Sequence, residues 1–377
     1  DIASQLQVRL DKRVQNNSLR VLKDSGEDID FSSNDYLGLA RNSDLHNTIL
    51  AEFTKLDFGH GSTGSRLISG NHNYFQETEH FLRAFHKGEA ALIFNSGYDA
   101  NIGFFSTVPQ RGDTIFYDEL IHASIRDGIR LSHAKGFSFG HNNMDNLKDQ
   151  LQRTKGNSFI AVESIYSMDG DEAPLKLLAE LAGKYNSNLI VDEAHSTGIS
   201  GEKGEGLTCE LGLESHVFAR LHTFGKAMGC HGGVWIISKP TRDILINYCR
   251  SFIFTTALPP FSICSIMQSY QYLMNHPQLK QSLYENIHYF TEQINTMGIP
   301  GLLKSHSPIQ SIIIPGNSQV KSAAGKLQLN GFQVVPILHP TVPEGSERIR
   351  LSIHSFNTNA EMDQLILALK MALQKIH

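Results

Sequence analysis

The sequence predicts an α/β fold, with a mostly parallel central sheet sandwiched by helices and a smaller α+β domain at the C-terminus. Two observations predict it. Before about Pro240, short apolar runs bounded by Gly, Pro, Asn or Asp alternate with amphipathic helical stretches. Buried parallel strands have this continuous apolar character. After Pro240 a long helical region is followed by short strands and helices, which is typical of a separate α+β domain.

The individual elements follow from local patterns. Helical patterns cover 73–85 and 174–185, and Pro174 suits a first helical position. A long helical region covers 240–297 and precedes a helix between two strand regions and a final helix. We predict an N-terminal segment 1–45, a large domain 46–275 and a small domain 276–377. The predicted core strands are 90–94, 114–117, 159–163, 189–192 and 233–237, and those of the small domain are 309–314, 334–335 and 349–353.

Composition and charge exclude several classes of protein. The 377 residues carry a net charge of −5 and scattered Lys and Arg residues, so neither nucleic acid nor an anionic membrane is an expected partner. The four cysteines have neither metal-ligand spacing nor a disulfide pattern, and we expect free thiols and no metal site. The N-terminus is not signal-like, and no apolar run could span a bilayer. We predict a soluble, cytoplasmic protein.

The segment 59–64 (Gly-His-Gly-Ser-Thr-Gly) has the letters of a dinucleotide-binding G-x-G-x-x-G loop. Such a loop must follow a strand and open a helix. Here a helical stretch at 52–57 precedes the loop, and 65–70 is a poor helix start. The context disfavours a nicotinamide oxidoreductase. It indicates a loop whose backbone passes close to a ligand or to a neighbouring subunit.

Asp192 and Lys226 form the first candidate catalytic pair. Asp192 ends the apolar run 188–192, and open parallel sheets bind ligands outside the carboxyl ends of their strands. Lys226 lies among Gly and small residues, where backbone can approach a ligand. Taken singly, Asp192 is better explained as a helix cap and Lys226 as a surface lysine. Together they offer an amine for the aldehyde of pyridoxal phosphate and a carboxylate for its ring nitrogen.

Two further segments suit the same cofactor. Ser96 and Gly97 follow the strand 90–94 and open a helical stretch, where backbone N–H groups can bind a phosphate. The alternative is a plain strand–turn–helix junction. The imidazole of His122 can lie on a cofactor ring, although a lone histidine is more often structural. Only the combination with Asp192 and Lys226 favours the cofactor.

In their order along the chain, the motifs resemble those of the α-oxoamine synthase family of fold-type I pyridoxal-phosphate enzymes, which have the aspartate aminotransferase fold. The resemblance runs from about Leu10 to the C-terminus. Any one motif is weak, but the ordered set is very specific. The segments that carry it are 31–39 (Phe-Ser-Ser-Asn-Asp-Tyr-Leu-Gly-Leu), 95–101, 118–124, 167–171 (Ser-Met-Asp-Gly-Asp), 191–195 (Val-Asp-Glu-Ala-His), 223–226 (Thr-Phe-Gly-Lys), 254–260 and 348–351 (Arg-Ile-Arg-Leu).

The resemblance implies a role for each matching position in the large domain. Lys226 forms the Schiff base with the cofactor and later moves protons at the substrate α-carbon. Asp192 pairs with the pyridine nitrogen, His195 hydrogen-bonds the ring hydroxyl oxygen, and His122 stacks on the ring and touches the substrate carboxylate. Further implied cofactor contacts are Ser96, Gly97, Tyr98, Ser167 and Thr223, and, reaching the phosphate from the other subunit, Thr255 and Thr256. The implied assembly is a homodimer with shared active sites.

The substrate residues are also implied by the resemblance. Asn34 and Arg350 bind the amino-acid carboxylate, with Arg350 as a bidentate clamp. Arg20 and Thr341 match positions that contact the acyl substrate in the oxononanoate synthase branch. The N-terminal segment 1–45 would pack on the small domain and on the dimer partner.

The implied reaction is a decarboxylating Claisen condensation between an amino acid and an acyl thioester. Length, compact N-terminus and the segment 340–345 are most similar to the 8-amino-7-oxononanoate synthase branch, which joins L-alanine to a pimeloyl thioester (carried by CoA or acyl carrier protein) in biotin synthesis. Trp235 and the Arg220–His222 stretch differ from the residues expected there, and the segment 255–260 is also close to the aminolevulinate synthase pattern. The branches of 2-amino-3-ketobutyrate CoA ligase, 5-aminolevulinate synthase and serine palmitoyltransferase stay open. A more distant alternative is an aminotransferase of the same fold.

Overall fold

The computed structural model describes residues 1–22 and 26–374. Within these ranges the helices are α1 Ile2–Gln15, α2 Ser43–Lys55, α3 Asn73–Phe85, α4 Gly97–Thr107, α5 Ala123–Leu131, α6 Met144–Gln152, α7 Leu175–Tyr185, α8 Leu207–Glu210, α9 Lys239–Tyr248, α10 Arg250–Ile253, α11 Pro260–Asn275, α12 Gln278–Thr296, α13 Asn317–Leu329 and α14 Asn359–Leu373. The strands are β1 Ile29–Asp30, β2 Ala90–Phe94, β3 Thr114–Asp118, β4 Lys135–Phe139, β5 Ser158–Glu163, β6 Asn188–Asp192, β7 Ala219–Thr223, β8 Gly233–Ile237, β9 Ile309–Ile313, β10 Phe332–Gln333, β11 Val335–Ile337 and β12 Arg348–Ser352.

The larger of two compact units comprises residues 37–167 and 172–279 and contains a seven-stranded sheet. Its strand order is β2-β8-β7-β6-β5-β3-β4. The pairs from β7 to β4 are parallel, and β8 alone runs antiparallel to both of its neighbours. The predicted α/β class with a mostly parallel central sheet is confirmed.

Both faces of this sheet are buried because successive side chains of each strand point to opposite faces. Ile115 and Ile190 pack in one apolar cluster with side chains from α4, α5 and α9. Their chain neighbours Phe116 and Val191 pack in a second cluster with side chains from α6, α7 and α8. Helices therefore cover the sheet on both faces, and the strands appear in the sequence as continuous apolar runs.

Two strands of the sheet, β4 and β7, were not predicted. β4 is an edge strand (Lys-Gly-Phe-Ser-Phe) and is mostly exposed, so it lacks an apolar run. β7 is buried but carries Arg220 and His222. Arg220 hydrogen-bonds the thiol of Cys209, and His222 hydrogen-bonds the hydroxyl of Thr197. Because these polar side chains form hydrogen bonds inside the protein, a buried strand can contain them. They also interrupt its apolar run, so the hydrophobic pattern does not predict the strand.

The predicted helical region 240–297 is divided into four helices. Cys249 separates α9 from α10, and residues 254–259 separate α10 from α11. Pro259 and Pro260 begin α11 because proline lacks the N–H that a preceding helical turn would require. Likewise Pro174 is the residue before α7 and not its first helical residue. Among the described residues, no helix combines the length and apolar character needed to cross a membrane.

The smaller unit comprises residues 1–36, 168–171 and the chain from Lys280 onward. β12 lies between β11 and β9 in an antiparallel sheet, and β1 pairs with β10 in parallel. The strand predicted at 334–335 is in fact two short strands, β10 and β11, with Val334 between them. α14 begins with a capping box between Thr358 and Glu361. The division at residues 45 and 275 stays a prediction.

Candidate active site

Most candidate residues of the larger unit follow strands that end at one edge of its sheet. β2, β3, β5, β6 and β7 all run in the same direction. The segments after their carboxyl ends therefore lie along one edge, which is where open α/β sheets bind ligands. These segments carry Ser96, Gly97 and Tyr98 after β2, His122 after β3, Ser167 after β5, Asp192 and His195 at β6, and Thr223 and Lys226 at β7.

Asp192 is the last residue of β6, near the middle of the sheet, and its side chain is 5% exposed. The backbone N–H of Ala194 donates to Oδ1 at 3.0 Å. The side-chain Nδ2 of Asn101 donates to Oδ2 at 2.9 Å. Two fixed donors thus hold the carboxylate in one orientation.

The start of α4 forms a close junction with the end of β7. Ser96 caps the helix, since its Oγ accepts the N–H of Asp99 at 3.0 Å. A Cβ at Gly97 would lie 2.5 Å from Cγ2 of Thr223, so only glycine fits there. The Oγ1 of Thr223 is buried and has no hydrogen-bond partner in the protein. Helix N–H groups and an unsatisfied hydroxyl therefore meet at one point, which suits an anion.

His122 is the residue before α5, and the residue as a whole is exposed to solvent while its ring nitrogen Nδ1 bonds in partly buried surroundings. Its Nδ1 lies 2.7 Å from Oγ of Ser124, and the ring of Tyr98 meets it edge to face at 6.4 Å. Loss of solvent around the imidazole, together with the charge of Lys226, lowers the pKa of His122 below its usual value, although the charge of Asp192 opposes the shift. The imidazole is therefore neutral at physiological pH.

Lys226 lies in the turn that follows β7 and is half-buried. Its carbonyl accepts the N–H of Gly229 at 2.8 Å, which closes the turn. The charge of Lys226 acts on His122 and on Glu163. The amine therefore shares the strand-end site with Asp192, which acts on the same two groups.

Glu163, Asn101 and Ser124 also belong to this site, although sequence reasoning did not select them. Glu163 ends β5 in register with Asp192 and is 3% exposed. Asn101 and Ser124 link Asp192 to His122 through hydrogen bonds. One signal was available: like Asp192, Glu163 is an acidic residue that ends a buried apolar run. For Asn101 the signal was a polar residue one helical turn after Gly97.

Thr255 and Thr256 lie between α10 and α11, next to the residue that precedes Ser96. Asn95 Nδ2 donates to Oγ1 of Thr255 at 3.1 Å and to the carbonyl of Thr256 at 2.7 Å. The loop 59–64 follows α2 rather than a strand, as expected, so it lacks the context of a dinucleotide site. The carbonyl of Gly64 accepts the N–H of Ala257, which brings this loop against the threonine segment.

The candidate substrate residues meet within the smaller unit. Arg350 on β12 donates from Nη2 to Oδ1 of Asn34 at 3.0 Å and from Nη1 to Oγ of Ser352 at 3.1 Å. Tyr36 donates its hydroxyl to the same Asn34 oxygen at 3.1 Å. Separately, Nη2 of Arg20 donates to Oγ1 of Thr341 at 2.8 Å. Both predicted pairs are therefore in contact.

The two sequence departures have structural explanations. Trp235 on β8 is fully buried, stacks on Phe104 at 4.3 Å and donates its indole N–H to the carbonyl of Ala100 at 2.9 Å. His222 stacks on His86 with ring centroids 3.7 Å apart. Both residues are buried and belong to the packing of the larger unit.

Comparison with known proteins decides the family. The chain matches the aminotransferase class I and II family over residues 26–369. It belongs to that family, in the α-oxoamine synthase branch. This α-oxoamine synthase is 40% identical to an 8-amino-7-oxononanoate synthase of Emericella nidulans, over 92% of this chain and 90% of the relative. It is 37% identical to one of Lysinibacillus sphaericus, over 90% and 87% of the two chains.

Solved structures agree with this placement of the α-oxoamine synthase. Serine palmitoyltransferase of Sphingomonas wittichii superposes with a TM-score of 0.89 and 28% identity, covering 100% of this chain and 97% of the other. An 8-amino-7-oxononanoate synthase of Francisella tularensis superposes with a TM-score of 0.80 and 31% identity, covering 92% and 98%. The predicted family and fold type are confirmed.

Proposed function

We propose that the chain is a pyridoxal-phosphate enzyme that condenses L-alanine with a pimeloyl thioester, with loss of carbon dioxide, to give 8-amino-7-oxononanoate for biotin synthesis. The observation that carries the proposal is the placement of Asp192 and Lys226 at the carboxyl ends of the adjacent strands β6 and β7. The relatives at 34–40% identity named 8-amino-7-oxononanoate synthase support the choice of reaction.

The strand-end residues fit pyridoxal phosphate. The start of α4 and the unsatisfied hydroxyl of Thr223 suit its phosphate, where Gly97 leaves room for close approach. Asp192, held by two donors, suits the protonated ring nitrogen. His122 would cover one face of the cofactor, and His195 follows β6 and Ser167 follows β5 at the same edge of the sheet. We assign the cofactor to these residues.

When bound, the cofactor withdraws electrons from the amino-acid α-carbon and so favours loss of its proton. The protein residues supply the rest. Lys226 would hold the cofactor aldehyde through its amine until the amino group of the substrate takes its place, and the freed amine would then accept the α-proton. Asp192 keeps the ring nitrogen protonated. Neutral His122 has a ring N–H available for the substrate carboxylate.

In this proposal, four residues contact the substrates, namely Asn34, Arg350, Arg20 and Thr341. Arg350 would bind the amino-acid carboxylate through its planar guanidinium group, which Asn34 and Ser352 orient. Arg20 and Thr341, already in contact, would bind the acyl substrate. Recognition of a carboxylate by Arg350 is common to alanine, glycine and serine, so it does not choose among them.

We assign the active sites to a homodimer in which Thr255 and Thr256 reach the partner's phosphate. Support comes from two large apolar side chains in this segment and in the segment after the loop 59–64: Phe254 is 73% exposed and Ile68 is 85% exposed. Mixing subunits of two inactive variants tests whether the two subunits share their active sites. Subunits with Lys226→Ala are mixed with subunits carrying Thr255→Val and Thr256→Val, and the hybrid should regain activity because one of its sites is intact. No recovery over either parent would exclude shared sites.

The first test of the function is spectroscopic. The purified protein with pyridoxal phosphate should absorb in the visible range, and L-alanine should change that spectrum more than glycine or L-serine. Added pimeloyl-CoA should then release free CoA thiol and carbon dioxide in equal amounts. Lys226→Ala is the control that lacks the amine. A preference for L-serine would favour the serine palmitoyltransferase alternative, which the structural match to that enzyme supports.

A cytoplasmic location is part of this proposal. All four cysteines are free thiols, and three of them, Cys209, Cys249 and Cys264, are buried. Free thiols are typical of a reducing compartment.

A further inference from the structure

A chain of hydrogen bonds joins Asp192 to His122 through two side chains that no motif assigned. Asn101 lies on α4, one turn after Gly97, and is 1% exposed. Its Nδ2 donates to Oδ2 of Asp192 at 2.9 Å and to Oγ of Ser124 at 3.0 Å. Ser124 Oγ in turn lies 2.7 Å from Nδ1 of His122.

The donors and acceptors of this chain admit a single direction. An ionised carboxylate only accepts, so Asn101 must present its NH₂ group to Asp192. The second N–H of that group then points at Ser124, whose oxygen accepts it. Nδ1 of His122 accepts the backbone N–H of Ser124 at 3.2 Å, so it carries no proton and the hydroxyl of Ser124 donates to it. Neutral His122 must therefore carry its proton on Nε2.

We propose that Asn101 and Ser124 are positioning residues: Asn101 orients the Asp192 carboxylate toward the cofactor ring nitrogen, and Ser124 fixes the proton of His122 on Nε2, where it can donate to the substrate carboxylate. This inference rests on the proposed function. Asparagine suits the role because it supplies two N–H groups without adding a charge beside Lys226 and Asp192. The rigid helix α4, packed closely against α5 at Gly128, fixes its position.

A packing role for Asn101 is the competing explanation. It predicts a loss of thermal stability with no change in cofactor binding. The positioning role predicts weaker binding of pyridoxal phosphate, because Asp192 would lose one of its two donors. Other charged or titratable groups act at the same site, namely Glu163 on β5, His122 before α5, Asp127 on α5 and Lys226 after β7. These groups are the same in the wild type and in each variant. The ratio of variant to wild-type cofactor affinity at each pH therefore reports the titration of the substituted residue alone.

The test titrates the cofactor-free protein with pyridoxal phosphate and follows visible absorption at about pH 6 and about pH 8. Asn101→Ala should bind roughly tenfold more weakly than the wild type at both, as for loss of a hydrogen bond to a charged group. Asn101→Asp can donate only while its new carboxyl is protonated, so its affinity relative to the wild type should fall further at the higher pH. Asn101→Asp also preserves side-chain volume if the alanine variant does not fold.

Two further variants complete the test. Ser124→Ala keeps the bond from Asn101 to Asp192, so it should bind cofactor within about threefold of the wild type but raise KM for L-alanine more than it lowers kcat. Ser106→Ala is the matched control and should behave as the wild type, because the hydroxyl of Ser106 bonds the carbonyls of Ile102 and Gly103 on the same helix.

The outcomes separate the inference from the function on which it rests. Wild-type affinity in Asn101→Ala, or a pH-independent ratio in Asn101→Asp, overturns the link to Asp192. An unchanged KM in Ser124→Ala overturns the link to His122. If the wild type and Ser106→Ala themselves take up no pyridoxal phosphate, the proposed function fails and the inference fails with it.

Discussion

Glu163 lies directly opposite Asp192 on the neighbouring strand, where β5 and β6 end. Both side chains are buried, and the backbone N–H groups of Ser167 and His122 donate to Glu163. Burial first, and then the charge of Asp192, raises the pKa of Glu163 well above its usual range. A neutral Glu163 therefore leaves Asp192 as the single negative charge of this carboxyl pair.

Replacement of Glu163 by glutamine tests that protonation state. With a raised pKa in the folded protein, Glu163 contributes stability that is present below its usual pKa of 4.5 and is lost as the pH rises toward the folded-state value. The loss is up to about 1.4 kcal/mol per pH unit. Glutamine cannot ionise, so the stability of Glu163→Gln relative to the wild type should increase from pH 5 to pH 8, measured by urea unfolding. Parallel pH profiles would show that Glu163 is charged in the folded protein.

The stacked pair His86 and His222 predicts sensitivity to acid. Burial lowers the pKa of His86 to about 3 and that of His222 well below its usual value. Because both folded-state values are depressed, the stability that the neutral rings contribute above pH 6.5 is lost as the pH falls toward 3. The free energy of unfolding should decrease from pH 7 to pH 5, by up to about 1.4 kcal/mol per pH unit for each ring.

The control for the histidine pair is the exposed His60. His86→Gln should reduce the slope of unfolding free energy against pH, whereas His60→Gln should leave it unchanged. Equal slopes in all three proteins would mean that another group is responsible for the acid sensitivity. His86→Gln should also be less stable at neutral pH, because His86 bonds the carbonyl of Glu205 and the hydroxyl of Tyr270.

Lys226→Ala should fold but should not hold pyridoxal phosphate covalently. Borohydride reduction followed by mass spectrometry should add the cofactor mass to a peptide containing Lys226 in the wild type and to no peptide in the variant. Turnover should fall by ~1000-fold or more, since the amine both anchors the cofactor and moves the proton. Lys203→Ala, in a loop of the same unit, is the control. Normal turnover by Lys226→Ala would show that Lys226 is not the residue that binds the cofactor aldehyde.

Arg350→Lys should weaken binding of the amino acid. Lysine cannot make the two parallel bonds of a guanidinium to a carboxylate, so KM for L-alanine should rise by roughly ten- to a hundredfold. The effect on KM for the acyl thioester should be smaller. Steady-state kinetics with each substrate varied in turn would show the difference, with the exposed Arg242→Lys as the control. An equal rise in both KM values would place Arg350 outside the amino-acid site.

The sequence by itself determined the class of fold and the position of the main catalytic candidates. Strands such as β2 and β8 were predicted to the residue because strands buried on both faces must be apolar throughout. Lys226 and Asp192 were found because a cofactor with an aldehyde and a basic ring nitrogen needs an amine and a carboxylate. These requirements are local, so short segments of the sequence are enough to reveal them.

The tertiary structure decided what depends on contacts between distant parts of the chain. The strand β7 could not be predicted, because its polar residues are tolerated only where Cys209, Thr197 and His86 meet them. The hydrogen bond between Asn34 and Arg350 joins two segments that are far apart in the sequence, and no local sequence pattern predicts that they meet. Asn101 and Glu163 became site residues only when parallel pairing of β5 with β6 and packing of α4 brought them to Asp192. Strand register and packing decide which side chains become partners across the fold. They join residues that are far apart in the sequence, whereas hydrophobic periodicity describes only residues within one segment.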